Sequence, residues 1–154
     1  MADEIQMISE NRKARHEYEV VKTFEAGLQL NGSEVKSCRD KQVQLKDAYV
    51  SIRNGEAFLQ HAHISEYRAS SYNNHAPERS RKLLLHKHEI EQLDASMSEK
   101  GLSCVPLKIY FKKGRVKIEL ALARGKKTHD KRQSIKTRDA NLELKRTMQK
   151  TRSR

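Results

Sequence analysis

The sequence predicts a mainly β fold: an OB-like antiparallel β-barrel with short flanking helices, followed by a basic C-terminal tail. Three observations carry that expectation. Apolar and polar residues alternate along several separate stretches, which is the period of a half-buried strand. Two stretches fold back around dipeptides suited to tight turns, Asn54-Gly55 and Lys113-Gly114. Charge is also segregated: of a formal net charge of +12 over 154 residues, residues 124–154 supply +9, from twelve Lys/Arg against three acids. The implied organisation is a flexible basic arm (1–15), a barrel (16–123) and a tail (124–154).

Taken in order, the polar arm ends in the basic cluster Asn11, Arg12, Lys13 and Arg15. Residues 17–30 alternate, with Tyr18, Val20, Phe24, Ala26, Leu28 and Leu30 on one face and Glu25 on the other, so a first strand is expected. Asn31 and Glu34 have capping-box spacing, which starts a short helix carrying Val35 and Cys38 on one side. A hairpin follows over 48–64, because Asn54 and Gly55 both accept the positive φ of a type I′ turn. Residues 65–80, rich in Ser and Asn and broken by Pro77, read as a loop. The run Leu83-Leu84-Leu85 is too short to assign by period, whereas Ile90, Leu93 and Met97 mark one helical face over 87–100, closed by Gly101. A second hairpin occupies 105–123, with Leu107, Ile109 and Phe111 inward on one arm and Val116, Ile118, Leu120 and Leu122 inward on the other. Its outer face holds Lys108, Tyr110, Lys112, Arg115 and Lys117. Five or six strands are expected to close into a small barrel, which would leave no exposed sheet edge.

A pI of about 9.8 points to a polyanionic partner. No stretch approaches the ~20 consecutive apolar residues of a membrane span, and no hydrophobic signal region is present, so a cytoplasmic location is expected. The two cysteines, Cys38 and Cys104, form no Cys-x-x-Cys pair. His61 with His63, and His86 with His88, each lack a third ligand at suitable spacing, so no metal or other cofactor is expected. Common catalytic signatures are absent, which argues against an enzyme. Among the few aromatic residues, Tyr67, Tyr72 and Tyr110 are left as stacking platforms, too few for a sequence-blind binder of single strands. Recognition of a folded RNA by charge and shape fits better. The tail has only Ile135, Ala140, Leu142, Leu144 and Met148 as apolar residues, so it is expected to be disordered alone and to order against a negatively charged partner.

Five blocks in fixed order, NRKARHEYEV from Asn11, EAGLQLNGSEVKSCR from Glu25, RSRKLLLHKHEI from Arg79, GLSCVPLKIYFKKG from Gly101 and ARGKKTHDKR from Ala123, together resemble the SsrA-binding protein family, also called small protein B. The resemblance runs from Asn11 nearly to the C-terminus. It departs at Cys38, where the family usually has Leu, and at Asp40, where a small residue is common.

The resemblance implies a cytoplasmic, monomeric RNA-binding adaptor of trans-translation, the rescue of stalled ribosomes. Its partner is the tRNA-like domain of transfer-messenger RNA (tmRNA, SsrA RNA), and elongation factor Tu is a partner indirectly, through alanyl-tmRNA. On the ribosome, the tail is expected to contact small-subunit rRNA at the decoding centre and become helical along the empty mRNA channel. By position in the matching blocks, Asn11, Glu25 and Leu84 fall on the tmRNA-binding surface, with Lys13, Lys36, Arg39 and Lys82 as phosphate contacts. Lys126, Lys127, His129, Asp130, Lys131 and Arg132 match the tail motif assigned to the decoding centre, and Ile135 and Met148 are channel contacts. The competing readings are a permanent ribosomal or assembly protein bound to rRNA, and a hydrolase acting on RNA.

Overall fold

The computed structural model describes residues 4–67 and 74–125. The elements run β1 (Ile5–Glu10), α1 (Arg12–Glu17), β2 (Tyr18–Leu28), α2 (Gly32–Arg39), β3 (Val43–Gln44), β4 (Tyr49–Arg53), β5 (Glu56–Gln60), β6 (His63–Ile64), β7 (Arg81–Leu84), α3 (Lys87–Glu99), β8 (Ser103–Lys112) and β9 (Arg115–Gly125). The chain divides after Arg124, and only Gly125 of the C-terminal part is among the described residues.

Seven strands form one sheet in the order β1-β8-β9-β2-β7-β5-β4, and β3 pairs with β6 in a separate ribbon. The β1–β8, β8–β9, β2–β7, β7–β5 and β5–β4 ladders are antiparallel. The sheet does not close into the expected barrel: among the described residues no ladder joins β1 to β4, so it stays open. It curls instead, bringing β4 beside β8 across the core. The edges are managed by shortness and irregularity, since β1 has six residues with a bulge and β4 only five.

Residues 5–10 were expected to belong to a flexible arm, but they form the edge strand β1. They pair with β8, and a register shift between Met7 and Ser9 turns Ile8 into the core while Ile5 and Met7 remain exposed. A second bulge, between Pro106 and Lys108, places Leu107 with Val105, Ala121, Ala14 and Tyr18 in a small cluster under α1. Leu107 therefore does not share the inner face with Ile109 as simple alternation predicts. Both hairpin turns have the expected backbone, with φ of 54° and 74° at Asn54 and Gly55, and the same values at Lys113 and Gly114. The main core collects Phe24, Ala26 and Leu28 of β2, Val50, Leu59 and Leu83 of the middle strands, Leu93 of α3, and Ile118, Leu120 and Leu122 of β9. Burial of these side chains, at about 25 cal/mol per Å² of apolar surface, holds the sheet in its curl.

Candidate nucleic-acid interface

Alternation along β2 and β7 assembles the first group of candidate residues. Leu28 and Leu83 pair and point inward, so their neighbours Gly27 and Leu84 pair on the outer face. Glu25 lies two residues before Gly27 and Lys82 two before Leu84, which brings Glu25, Lys82 and Leu84 to one face. Leu84 is 53% exposed, unusual for a leucine in a central strand. Gly27 makes its position workable: a Cβ there would stand 3.3 Å from the Leu84 Cβ and 3.4 Å from its Cδ1. Lys82 Nζ lies 3.5 Å from Glu56 Oε2. Beside it, Phe58 of β5 faces outward under the Arg53 guanidinium, 5.2 Å from the ring centroid.

The flank of this face is the cationic ribbon of β8 and β9. Lys112 pairs with Arg115, Tyr110 with Lys117 and Lys108 with Glu119. Glu25, on β2, is joined to this ribbon across β9: the Tyr110 hydroxyl donates to Glu25 Oε2, and Lys112 Nζ lies 3.3 Å from both carboxylate oxygens. The Tyr110 hydrogen bond, aided by Lys112, holds the Glu25 carboxyl below the usual carboxylate range, so it is ionised at neutral pH. Burial, and then the adjacent carboxylate, push the Tyr110 hydroxyl up, keeping it protonated and a donor. Tyr110 is only 3% exposed, which corrects its expected part as a stacking platform, and Lys108 Nζ lies 5.9 Å from its ring centroid.

Asn11 and Lys13 stand elsewhere. Asn11 is 4% exposed and every polar group of its side chain is engaged: Oδ1 accepts from the Ala14 N–H at 3.1 Å, and Nδ2 donates to the carbonyls of Leu45 (3.1 Å) and Pro106 (2.9 Å). It caps α1 and ties that helix to β8. Lys13 Nζ meets Asp47 Oδ1 at 2.6 Å on the surface. That hydrogen bond raises the Lys13 pKa and lowers that of Asp47. Both residues line a cleft of about 420 Å³, which Tyr18, Tyr49 and Met97 also line but Glu25, Lys82 and Leu84 do not. Tyr49, which sequence reasoning passed over, is exposed and stacks on His61 at 5.4 Å.

Lys36 and Arg39 form a third group, on the exposed side of α2. Lys36 Nζ sits 5.5 Å from the Tyr67 ring centroid. The helix is fixed from beneath by residues the sequence did not single out as a unit. Glu34, fully buried, accepts from Arg79 Nη2 at 2.6 Å, Arg81 Nε at 2.5 Å and the Asn31 N–H at 2.8 Å. Arg81, equally buried, also donates to the carbonyls of Ala62 and Pro77. Burial alone would raise the Glu34 pKa, but the hydrogen bonds from Arg79, Asn31 and Arg81 hold it below the ordinary value. One signal was available: Arg81 is in phase with Leu83, the inward residue of β7.

The expected tail contacts Lys126, Lys127, His129, Asp130, Lys131, Arg132, Ile135 and Met148, and the platform Tyr72, lie outside the described residues.

Comparison with known proteins gives a consistent set of relatives. A family model described as SmpB protein matches residues 8–150. The chain is 57% identical over 152 residues to an SsrA-binding protein of Bdellovibrio bacteriovorus, covering 99% of this chain and 100% of that one. It is 54% identical over 151 residues to an SsrA-binding protein of Syntrophobacter fumaroxidans, covering 98% of this chain and 94% of that one. A solved structure described as "tmRNA-SmpB: a journey to the center of the bacterial ribosome" matches with a TM-score of 0.68 and 46% identity, over 82% of this chain and 93% of that chain.

Proposed function

The chain belongs to the SmpB protein family, and on that premise we propose that it is an RNA-binding adaptor of trans-translation, which binds the tRNA-like domain of tmRNA and delivers it to stalled ribosomes. The observation that carries this reading is the outer sheet face: an ionised Glu25 and an exposed Leu84 on adjoining parts of one surface, flanked by the cations of β8 and β9. Cations along the ribbon supply attraction to phosphates at many positions, while the carboxylate and the leucine offer contacts that a phosphate cannot use. Lys82, Lys36 and Arg39 extend the positive surface, Lys13 acts at the cleft, and Asn11 holds α1 in place.

Residues 126–154 enter the decoding centre and the vacant mRNA channel, where Lys126, Lys127, His129, Asp130, Lys131 and Arg132 meet small-subunit rRNA and the segment through Ile135 and Met148 becomes helical. The protein acts in the cytoplasm, carries no reaction of its own, and meets elongation factor Tu through alanyl-tmRNA. The names of its relatives favour this reading over a permanent ribosomal component.

Removal of residues 125–154 tests the division of labour. The truncated protein is expected to keep its melting midpoint and its affinity for the tRNA-like domain in a gel-shift titration, and to lose tagging of stalled chains in a reconstituted translation reaction. A comparable loss of RNA affinity contradicts it.

A further inference from the structure

Glu25 is an anomaly on a surface meant for a polyanion, because a carboxylate repels phosphate. Its use must therefore lie in what a carboxylate accepts: a hydrogen bond from a donor, such as the exocyclic amine or ring N–H of a base, which a splayed RNA loop exposes. For that purpose the carboxylate must be ionised and must present one oxygen outward.

The hydroxyl of Tyr110 is placed to do this. β8 and β2 are not neighbours, since β9 runs between them, so the Tyr110 side chain crosses a whole strand to reach Glu25 Oε2. Its ring is buried, which leaves little rotational freedom and makes the hydroxyl a fixed donor. Lys112 Nζ, by contrast, is equidistant from the two oxygens at 3.3 Å and selects neither. A carboxylate offers about four acceptor directions over its two oxygens. Tyr110 takes Oε2, and Oε1 keeps a direction open on a side chain that is 40% exposed.

We propose that Tyr110 is a positioning residue for RNA recognition: its hydroxyl clamps Glu25 Oε2 so that Oε1 is held outward to accept a hydrogen bond from the N–H edge of an unstacked RNA base. This rests on the proposed tmRNA binding and adds to it the chemistry that Glu25 reads.

The test is a double-mutant cycle on the full-length protein, titrated at fixed salt with a transcript of the tRNA-like domain. Glu25→Gln is isosteric, but the Tyr110 hydroxyl will hold its amide oxygen and turn the NH₂ toward the RNA, a donor where an acceptor is needed. Tyr110→Phe and Glu25→Gln are each expected to weaken binding about tenfold, equivalent to about 1.4 kcal/mol. The double variant is expected to bind no more weakly than Glu25→Gln, because without the clamp the amide can flip. Additive losses, about a hundredfold in total, or unchanged affinity of Tyr110→Phe, overturn the inference. If Tyr110→Phe does not fold, Glu25→Gln alone decides, since wild-type affinity in that variant shows an unclamped acceptor. Failure of the unsubstituted protein to bind the transcript would instead overturn the proposed function.

Discussion

Two glutamates of this chain, Glu34 and Glu25, are both ionised and both beside cations, yet one is enclosed and the other partly exposed. Glu34 is enclosed, with both oxygens engaged by Arg79, Arg81 and the Asn31 N–H. Nothing of it is left for a partner. Glu25 accepts from Tyr110 and Lys112, yet its side chain stays 40% exposed. The lesson is that a low pKa does not by itself mark a functional carboxylate; what distinguishes the two is whether acceptor capacity remains after the protein's own donors are satisfied.

The largest expected effect breaks the structural member of the pair. Glu34→Ala leaves the buried Arg81 without its counter-charge and is expected to cost about 3–5 kcal/mol of stability, measured by denaturant unfolding. The pH dependence has a definite sign. Because the folded-state pKa of Glu34 lies below the ordinary 4.5, its contribution is fully present above that value and is lost as pH falls through the lowered folded pKa. An acid-unfolding curve of the native protein should therefore steepen only below about pH 4.5, and Glu34→Gln should flatten that part of it. A variant as stable as the native chain would remove the contrast between the two glutamates.

A smaller effect sharpens the interface side. Gly27→Ala places a methyl group against Leu84, at 3.3 Å from its Cβ. A displaced Leu84 should weaken binding of the tRNA-like domain severalfold, with stability changed by no more than about 1 kcal/mol. Unchanged affinity would mean that the exposed leucine is not set by its glycine neighbour.

Much of the fold was legible because its signals are local. Asn54-Gly55 and Lys113-Gly114 fixed both hairpins, and Asn31, Glu34 and Gly101 marked helix ends, since turn and cap chemistry act within a few residues. The bulges at Ile8 and Leu107 were not legible, because one extra residue reverses which face follows and alternation cannot announce it. Closure failed as an expectation for a related reason: it depends on whether β1 and β4 meet, a property of the curl of the whole sheet. At the candidate site, the family blocks carried the expectation for Glu25 and Leu84, which alternation along β2 and β7 brings to one face, whereas the Tyr110 hydrogen bond spans 85 positions and required the strand order. Glu34 was read as a capping residue, correctly but incompletely, because its two arginine partners come from the far end of a loop.

The most direct measurement of the central contrast is the affinity of Glu25→Ala for the tRNA-like domain, taken alongside its melting midpoint. The substitution removes a negative charge from the proposed RNA-binding surface, so general electrostatics alone would tighten binding. The reverse is expected, an affinity at least about tenfold weaker with the midpoint held to within a few degrees, because a specific acceptor has been lost. An affinity equal to or tighter than that of the native chain would contradict it.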